Sequence, residues 1–264
     1  MFGKKKVTET MIPREDGLTD YNVYIMSRQE RIVTMILAAA VLFAVGYVFY
    51  HSIILSAFVA LFCVKFPKIR TRQIIDKRKR QLMLQFKDML YSLSSALSVG
   101  KSVETGIRDS LQDLRVIYPD PETDILRELE YILRGIGISN TIEEMFGQFA
   151  ERADLEDIDN FVDIFVTCKR TGGDLIEVMR STSNTIGEKI EVKQEINTMI
   201  SGKKYEFNFM MVLPVILILF LTLTSGDYMA PVFQTIVGRL AMTAAIVTFV
   251  LAYVVGSRIM KIDI

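Results

Sequence analysis

Along the chain the apolar residues fall into two kinds of pattern. Residues 32 to 66, "IVTMILAAAVLFAVGYVFYHSIILSAFVALFCVKF", hold no acid, lysine or arginine before Lys65. As one helix they would run roughly 50 Å at 1.5 Å per residue, too long for a hydrocarbon core of about 30 Å. A turn at His51-Ser52 divides them into two spans, 32 to 49 and 53 to 66, the second lengthened by a snorkelling Lys65. Two further apolar blocks, Phe207 to Ser225 and Leu240 to Gly256, are separated by "GDYMAP" at 226 to 231, whose Gly and Pro predict a turn. The pattern predicts four transmembrane helices, two near each end of the chain.

Between these blocks the apolar residues recur every three or four positions, as on amphipathic helices. Six stripes follow one another. They are Leu82, Phe86, Met89, Leu93 and Leu97; Val103, Ile107, Leu111 and Leu114; Leu126, Leu129, Leu133 and Ile136; Ile142, Met145, Phe149 and Ala153; Leu155, Ile158, Phe161, Phe165 and Cys168; Leu175, Met179, Thr182 and Ile186. The prediction is an all-α chain: a polar arm at 1–31, a membrane hairpin at 32–66, a six-helix antiparallel bundle at 67–206, a second hairpin at 207–257 and a tail at 258–264. Residues 8 to 22, "TETMIPREDGLTDYN", predict a mobile polar segment.

The chain carries 31 Lys and Arg and 31 Asp and Glu, and their placement predicts orientation. Lys4, Lys5, Lys6, Arg28 and Arg31 flank the first span, Lys203 and Lys204 precede the third, and Arg258 and Lys261 follow the fourth, whereas the opposite loops offer only Arg239. Both termini and the bundle are then cytoplasmic. The first 31 residues hold no apolar stretch with a cleavage site, which predicts a cytosolic start. Cys63 and Cys168 fall in a span and in the bundle, a usage typical of a reducing compartment.

Residues 65 to 80 carry eight basic residues and one acid. Lys68, Arg70, Arg72, Lys77, Arg78, Lys79 and Arg80 form a candidate collar against anionic lipid, where each charge contributes about 1 kcal/mol. Nucleic acid is excluded as a partner, because residues 81 to 200 carry 22 acids against 12 Lys and Arg.

"SSALSVGKSVETG", residues 94 to 106, contains Gly100-Lys101-Ser102, the end of a phosphate-binding loop. Such a loop needs an earlier glycine where Ser95 stands and a strand where the Leu93/Leu97 helix runs. The segment instead shares a pattern with "GISNTIEE" at 137 to 144 and "RTGGDLIE" at 170 to 177: a small-residue turn, an N-cap and an acid. Gly100 and Gly172 suit the left-handed position that ends a helix; Ser102, Thr141 and Asp174 suit N-caps, with Glu144 and Glu177 completing capping boxes. "ERADLEDIDNFVD" at 151 to 163 lacks the third ligand and glycine of a calcium loop, and His51 stands without metal-ligand neighbours. No nucleophile-and-base pair is present, so the sequence predicts no enzyme, cofactor or metal. The apolar cores carry no ionisable residue near their middles, against an independent transporter.

The ordered set "FKDMLYSLSSALSVGKSVETGI" (86 to 107), "GISNTIEEMFGQFAERAD" (137 to 154), "FVTCKRTGGDLIEVMRSTSNTI" (165 to 186), Pro214 and "GSRIMKIDI" resembles the type II secretion F-domain family, most closely the single-bundle inner-membrane platform proteins of Tad/Flp pili. The resemblance implies a non-enzymatic scaffold that takes motion from a hexameric secretion ATPase and passes pilin into a fibre, beside a paralogous platform subunit or a second copy of itself. Membrane lipids complete the expected partners. A membrane-anchored scaffold with another partner is the alternative. Parity makes turns one, three and five of a six-helix bundle distal from the bilayer, so Gly100, Lys101, Asn140, Arg170, Gly172, Gly173 and Asp174 form the candidate ATPase-facing tip.

Overall fold

The computed structural model describes residues 18, 20–224 and 226–260, and the secondary structure of those residues is helical. They divide into two compact units, one holding the described residues up to Ser27 with Arg70–Glu191, the other Arg28–Ile69 and the described residues from Val192 onward.

The apolar unit contains α1 (Arg28–Tyr50), α2 (Ile53–Ala60), a 3-10 turn (Leu61–Lys65), the end of α8 (Leu175–Thr224), α9 (Gly226–Gln234) and α10 (Ile236–Ile259). Three of these helices, α1, α8 and α10, are long and apolar enough to cross a membrane. His51, at a φ of 48°, makes the turn after α1. There Gly46 lets Ser56 approach so closely that an added Cβ would lie 3.1 Å from its Cα.

Two details differ from the sequence pattern. Residues 53 to 66 are not one helix, because α2 tightens into a 3-10 turn, where Phe66 donates its N–H to the carbonyl of Cys63. The proline at position 67 has no N–H to offer that carbonyl, so an α-helical bond is impossible at this register. "GDYMAP" lies in α9 rather than in a turn. A helix pairs its own backbone groups, which apolar surroundings cannot do for a turn. The chain breaks at Thr235, whose hydroxyl accepts from the N–H of Gly238 at 3.0 Å and caps α10.

The helical unit comprises α4 (Val103–Ile117), α5 (Asp124–Gly137), α6 (Ile142–Ala153) and α7 (Glu156–Thr171), with parts of α3 (Phe66–Ser98) and α8. Leu82, Phe86, Met89, Leu93, Ile107, Leu129, Phe149, Phe161 and Met179 share one buried core. Its centre is aromatic. Phe86 meets Phe149 at 5.9 Å and Phe161 at 5.4 Å, and Phe146 meets Phe161 and Phe165 edge-on at 5.8 and 5.2 Å between centroids. Edge-to-face pairs add about 1 kcal/mol each to the burial of their area.

Successive helices run antiparallel. Ser92 donates to Asp113 and Tyr118 to Asp88 between α3 and α4, Arg115 pairs with Glu130 between α4 and α5, and Lys169 pairs with Glu143 between α6 and α7. In the two α3–α4 bonds one number rises as the other falls, and Tyr131 to Gln148 and Glu128 to Arg152 repeat this between α5 and α6. In the last part of the polar arm Leu18 and Tyr21 are 4% and 2% exposed, and Tyr21 joins the core. Residues 8 to 17 and 19 of that segment lie outside the described residues.

Candidate functional site: the turn end of the helical unit

Phe86 lies twelve residues before the end of α3, Phe149 seven after the start of α6 and Phe161 ten before the end of α7, and their rings touch. The turns α3–α4, α5–α6 and α7–α8 therefore gather at one end of the unit. This is the turn end.

All three turns have one backbone geometry. Each turn holds one left-handed residue: Gly100 at φ 82°, Ser139 at 78° and Gly172 at 74°. The next N–H reaches back to close a Schellman motif, from Lys101 to the Ala96 carbonyl at 3.3 Å, from Asn140 to Gly135 at 3.1 Å, and from Gly173 to Cys168 at 2.9 Å. Two residues after the left-handed one stands the N-cap. Ser102 accepts from the N–H of Thr105 at 3.3 Å, and Thr141 from that of Glu144 at 3.2 Å. Glu144 in turn accepts from the N–H of Thr141 at 3.0 Å, completing the capping box. Asp174 accepts from the N–H groups of Ile176 and Glu177 at 2.9 and 3.1 Å. The caps satisfy helix termini that would otherwise need water or a ligand.

In the second turn the left-handed residue is Ser139 rather than a glycine. A side chain there costs about 1 kcal/mol relative to glycine. Gly135 is required for packing instead: Met145 Sδ sits where its Cβ would be.

The structure places Gly100, Lys101, Asn140, Arg170, Gly172, Gly173 and Asp174 together at this end, all exposed. Lys101 Nζ bonds Asp109 Oδ2 at 2.5 Å, and Ser102 is consumed by its cap, so Gly100-Lys101-Ser102 is a helix-to-helix turn with its lysine committed. Lys169 pairs with Glu143 at 2.8 Å, joining the second and third turns, and this cation holds the Glu143 carboxyl below its ordinary value. Two apolar side chains, Val99 and Ile138, occupy the same position in their turns, one residue before the left-handed one, and are 72% and 76% exposed.

The collar residues separate into two groups. Lys68, Arg70, Arg72, Lys77 and Arg80 are exposed on α3. Arg78 and Lys79 turn inward. Arg78 grips Asp124 through Nη2 at 2.9 Å and Nε at 3.2 Å, and Lys79 donates to the carbonyl and carboxylate of Asp154 at 2.9 and 3.0 Å. The Lys79 ammonium holds the Asp154 carboxyl below its ordinary range.

Beyond these lies a polar cluster that the sequence reading missed. Glu128 and Arg152, 0% and 2% exposed, form a two-bond ion pair at 2.5 and 3.2 Å. The Tyr21 hydroxyl donates to Glu128 Oε1 at 2.9 Å, and the Arg152 guanidinium lies 5.0 Å from the centre of the Tyr131 ring. Burial pushes the Glu128 carboxyl upward, opposed by Arg152, and burial with the neighbouring carboxylate pushes the Tyr21 phenol well up. The signal was in the stripes: Glu128 stands three residues after Ile125, and Arg152 three after Phe149, both on apolar faces.

A family model described as "Type II secretion system (T2SS), protein F" matches residues 89–223, just over half of the chain. No curated protein and no solved structure matches.

Proposed function

The chain belongs to the type II secretion system protein F family, and from that premise we propose that it is a non-enzymatic inner-membrane platform protein of a Tad/Flp-type pilus or related secretion machine. In this reading a cytosolic hexameric ATPase works against the turn end, pilin is passed into the fibre through the membrane part, and a paralogous platform subunit or a second copy stands beside it. The observation that carries the reading is the repeated turn: three Schellman-and-cap motifs, with Gly100, Ser139 and Gly172 at their left-handed positions, gathered at one end.

Four spans are proposed, α1, residues 53 to 66, α8 and α10, with both termini and the helical unit cytoplasmic, as the Lys and Arg distribution favours. Such a contact is small and transient, and exposed Lys101, Arg170 and Asp174 give it charge complementarity rather than tight affinity. Lys68, Arg70, Arg72, Lys77 and Arg80 supply the lipid-facing collar, with Arg78 and Lys79 reserved for the helical unit itself.

Site-specific photocrosslinking tests the assignment. A photoreactive residue at Lys101, Asn140 or Gly173 is expected to capture the ATPase, and one at Glu122 or Glu156 is not. Capture from the latter two and never from the first three would refute it, and loss of capture everywhere would favour a membrane-anchored scaffold with another partner.

A further inference from the structure

Tyr21 is the most isolated member of the core in sequence, standing 61 positions before the next one, Leu82. Its ring packs 5.3 Å below the Arg78 guanidinium of α3, its hydroxyl donates to Glu128 of α5, and its N–H donates to the carbonyl of Arg152 of α6 at 3.4 Å. One short segment thus touches three helices. Leu18 is buried too, but Asn22, Val23 and Ile25 are exposed. A tight turn holds the segment's shape, the N–H groups of Asn22 and Val23 both donating to Asp20, at its carboxylate and carbonyl.

We propose that Arg78, Glu128 and Arg152 form a peptide-binding slot, occupied in cis by Tyr21 of this chain, whose segment acts as a releasable strap. The ligand class is a peptide turn that presents a tyrosine, whose hydroxyl finds a buried carboxylate.

The chemistry favours both occupancy and release. An empty slot would leave one acceptor position of a buried carboxylate without its donor, which costs more than an ordinary hydrogen bond contributes. Yet Glu128 and Arg152 keep their own two bonds when Tyr21 departs, and Arg78 keeps Asp124. The helices therefore survive an opening confined to the strap, as elements with few buried contacts open locally below the global unfolding free energy.

The strap also has a mechanical consequence. Tyr21 stands seven residues before Arg28, the first residue of α1, and seven residues reach at most about 25 Å. A docked strap is a third covalent route between the helical unit and the apolar helices, beside α3 and α8. The inference goes beyond the secretory reading and needs no partner protein for its test.

The experiment uses the full chain in lipid nanodiscs with a protease site inserted between Met26 and Ser27, cut after folding. The N-terminal fragment is expected to stay bound through size-exclusion chromatography in the wild type. Tyr21→Phe should weaken its retention about tenfold, and Tyr21→Ala at least a hundredfold. A labelled peptide of residues 18–27, added to a chain lacking residues 1–27, should bind with the same order of preference. Prompt loss of the wild-type fragment, or equal retention of wild type and Tyr21→Ala, would overturn the proposal.

Discussion

The two ends of the helical unit are built from different interactions. At the turn end most contacts are local: Schellman bonds span five residues, caps two or three, and Lys101 meets Asp109 eight residues away, with Lys169 to Glu143 tying two turns across 26 residues. At the opposite end they are remote in sequence: Arg78 to Asp124, Lys79 to Asp154, Lys189 to Asp157, and Tyr21 to Glu128 across 107 residues. Local bonds fix the shape of each turn separately and remote bonds fix the helices relative to one another. The turn end is therefore shaped turn by turn, while the end that holds the helices in register is stitched throughout.

The largest expected effect probes the stitched end. Glu128→Gln leaves the Arg152 guanidinium buried without its counter-charge and should destabilise the helical unit by about 3–5 kcal/mol in denaturant unfolding. A smaller loss would mean that water reaches the pair. Next is Asp124→Asn, which breaks the two-bond grip on a mostly buried Arg78 and should cost about 1.5–3 kcal/mol.

The turn end should respond more weakly and in both directions. Thr141→Ala removes half of a capping box and should cost about 1 kcal/mol. Gly172→Ala places a side chain at φ 74° with open space around it and should cost about 1 kcal/mol, whereas Ser139→Gly relieves the same strain and should stabilise by about as much. Equal losses at both ends would erase the comparison.

The smallest effect is with pH. The Asp154 and Glu143 carboxyls are held below their ordinary values of 3.8 and 4.5 by Lys79 and Lys169. A depressed acid contributes stability above its unfolded value, and the contribution disappears as pH falls through the folded one. The melting temperature should drift down below pH 4.5 for Glu143 and below pH 3.8 for Asp154. Lys169→Met should remove the first drift and Lys79→Met the second, assigning each to its end.

Much of this was legible in the sequence. The stripes named Phe86, Phe149 and Phe161, and the turn pattern named Gly100, Gly172, Ser102, Thr141 and Asp174, because helix periodicity and capping are local rules that read directly from spacing. Ser139 escaped because a left-handed serine carries no compositional mark. The inward turn of Arg78 and Lys79 escaped because a run of basic residues shows charge but not the acids, 46 and 75 positions on, that claim two of them. Tyr21 escaped for the same reason, since nothing in "DGLTDYN" indicates a carboxylate more than a hundred residues away.

The hydroxyl of Ser183 on α8 donates to the carbonyl of Lys87 on α3 at 3.1 Å, joining the first and last helices of the unit across 96 residues. Hairpins α3–α4, α5–α6 and α7–α8 close short loops and can form quickly, whereas this contact waits for the whole intervening chain. During synthesis α3 must then remain without its last neighbour until α8 has emerged, with Phe86 and Met89 incompletely covered. A chain that ends after Gly173 can fold the α3–α4 and α5–α6 hairpins but leaves open the apolar seam that α8 covers, a form prone to aggregate.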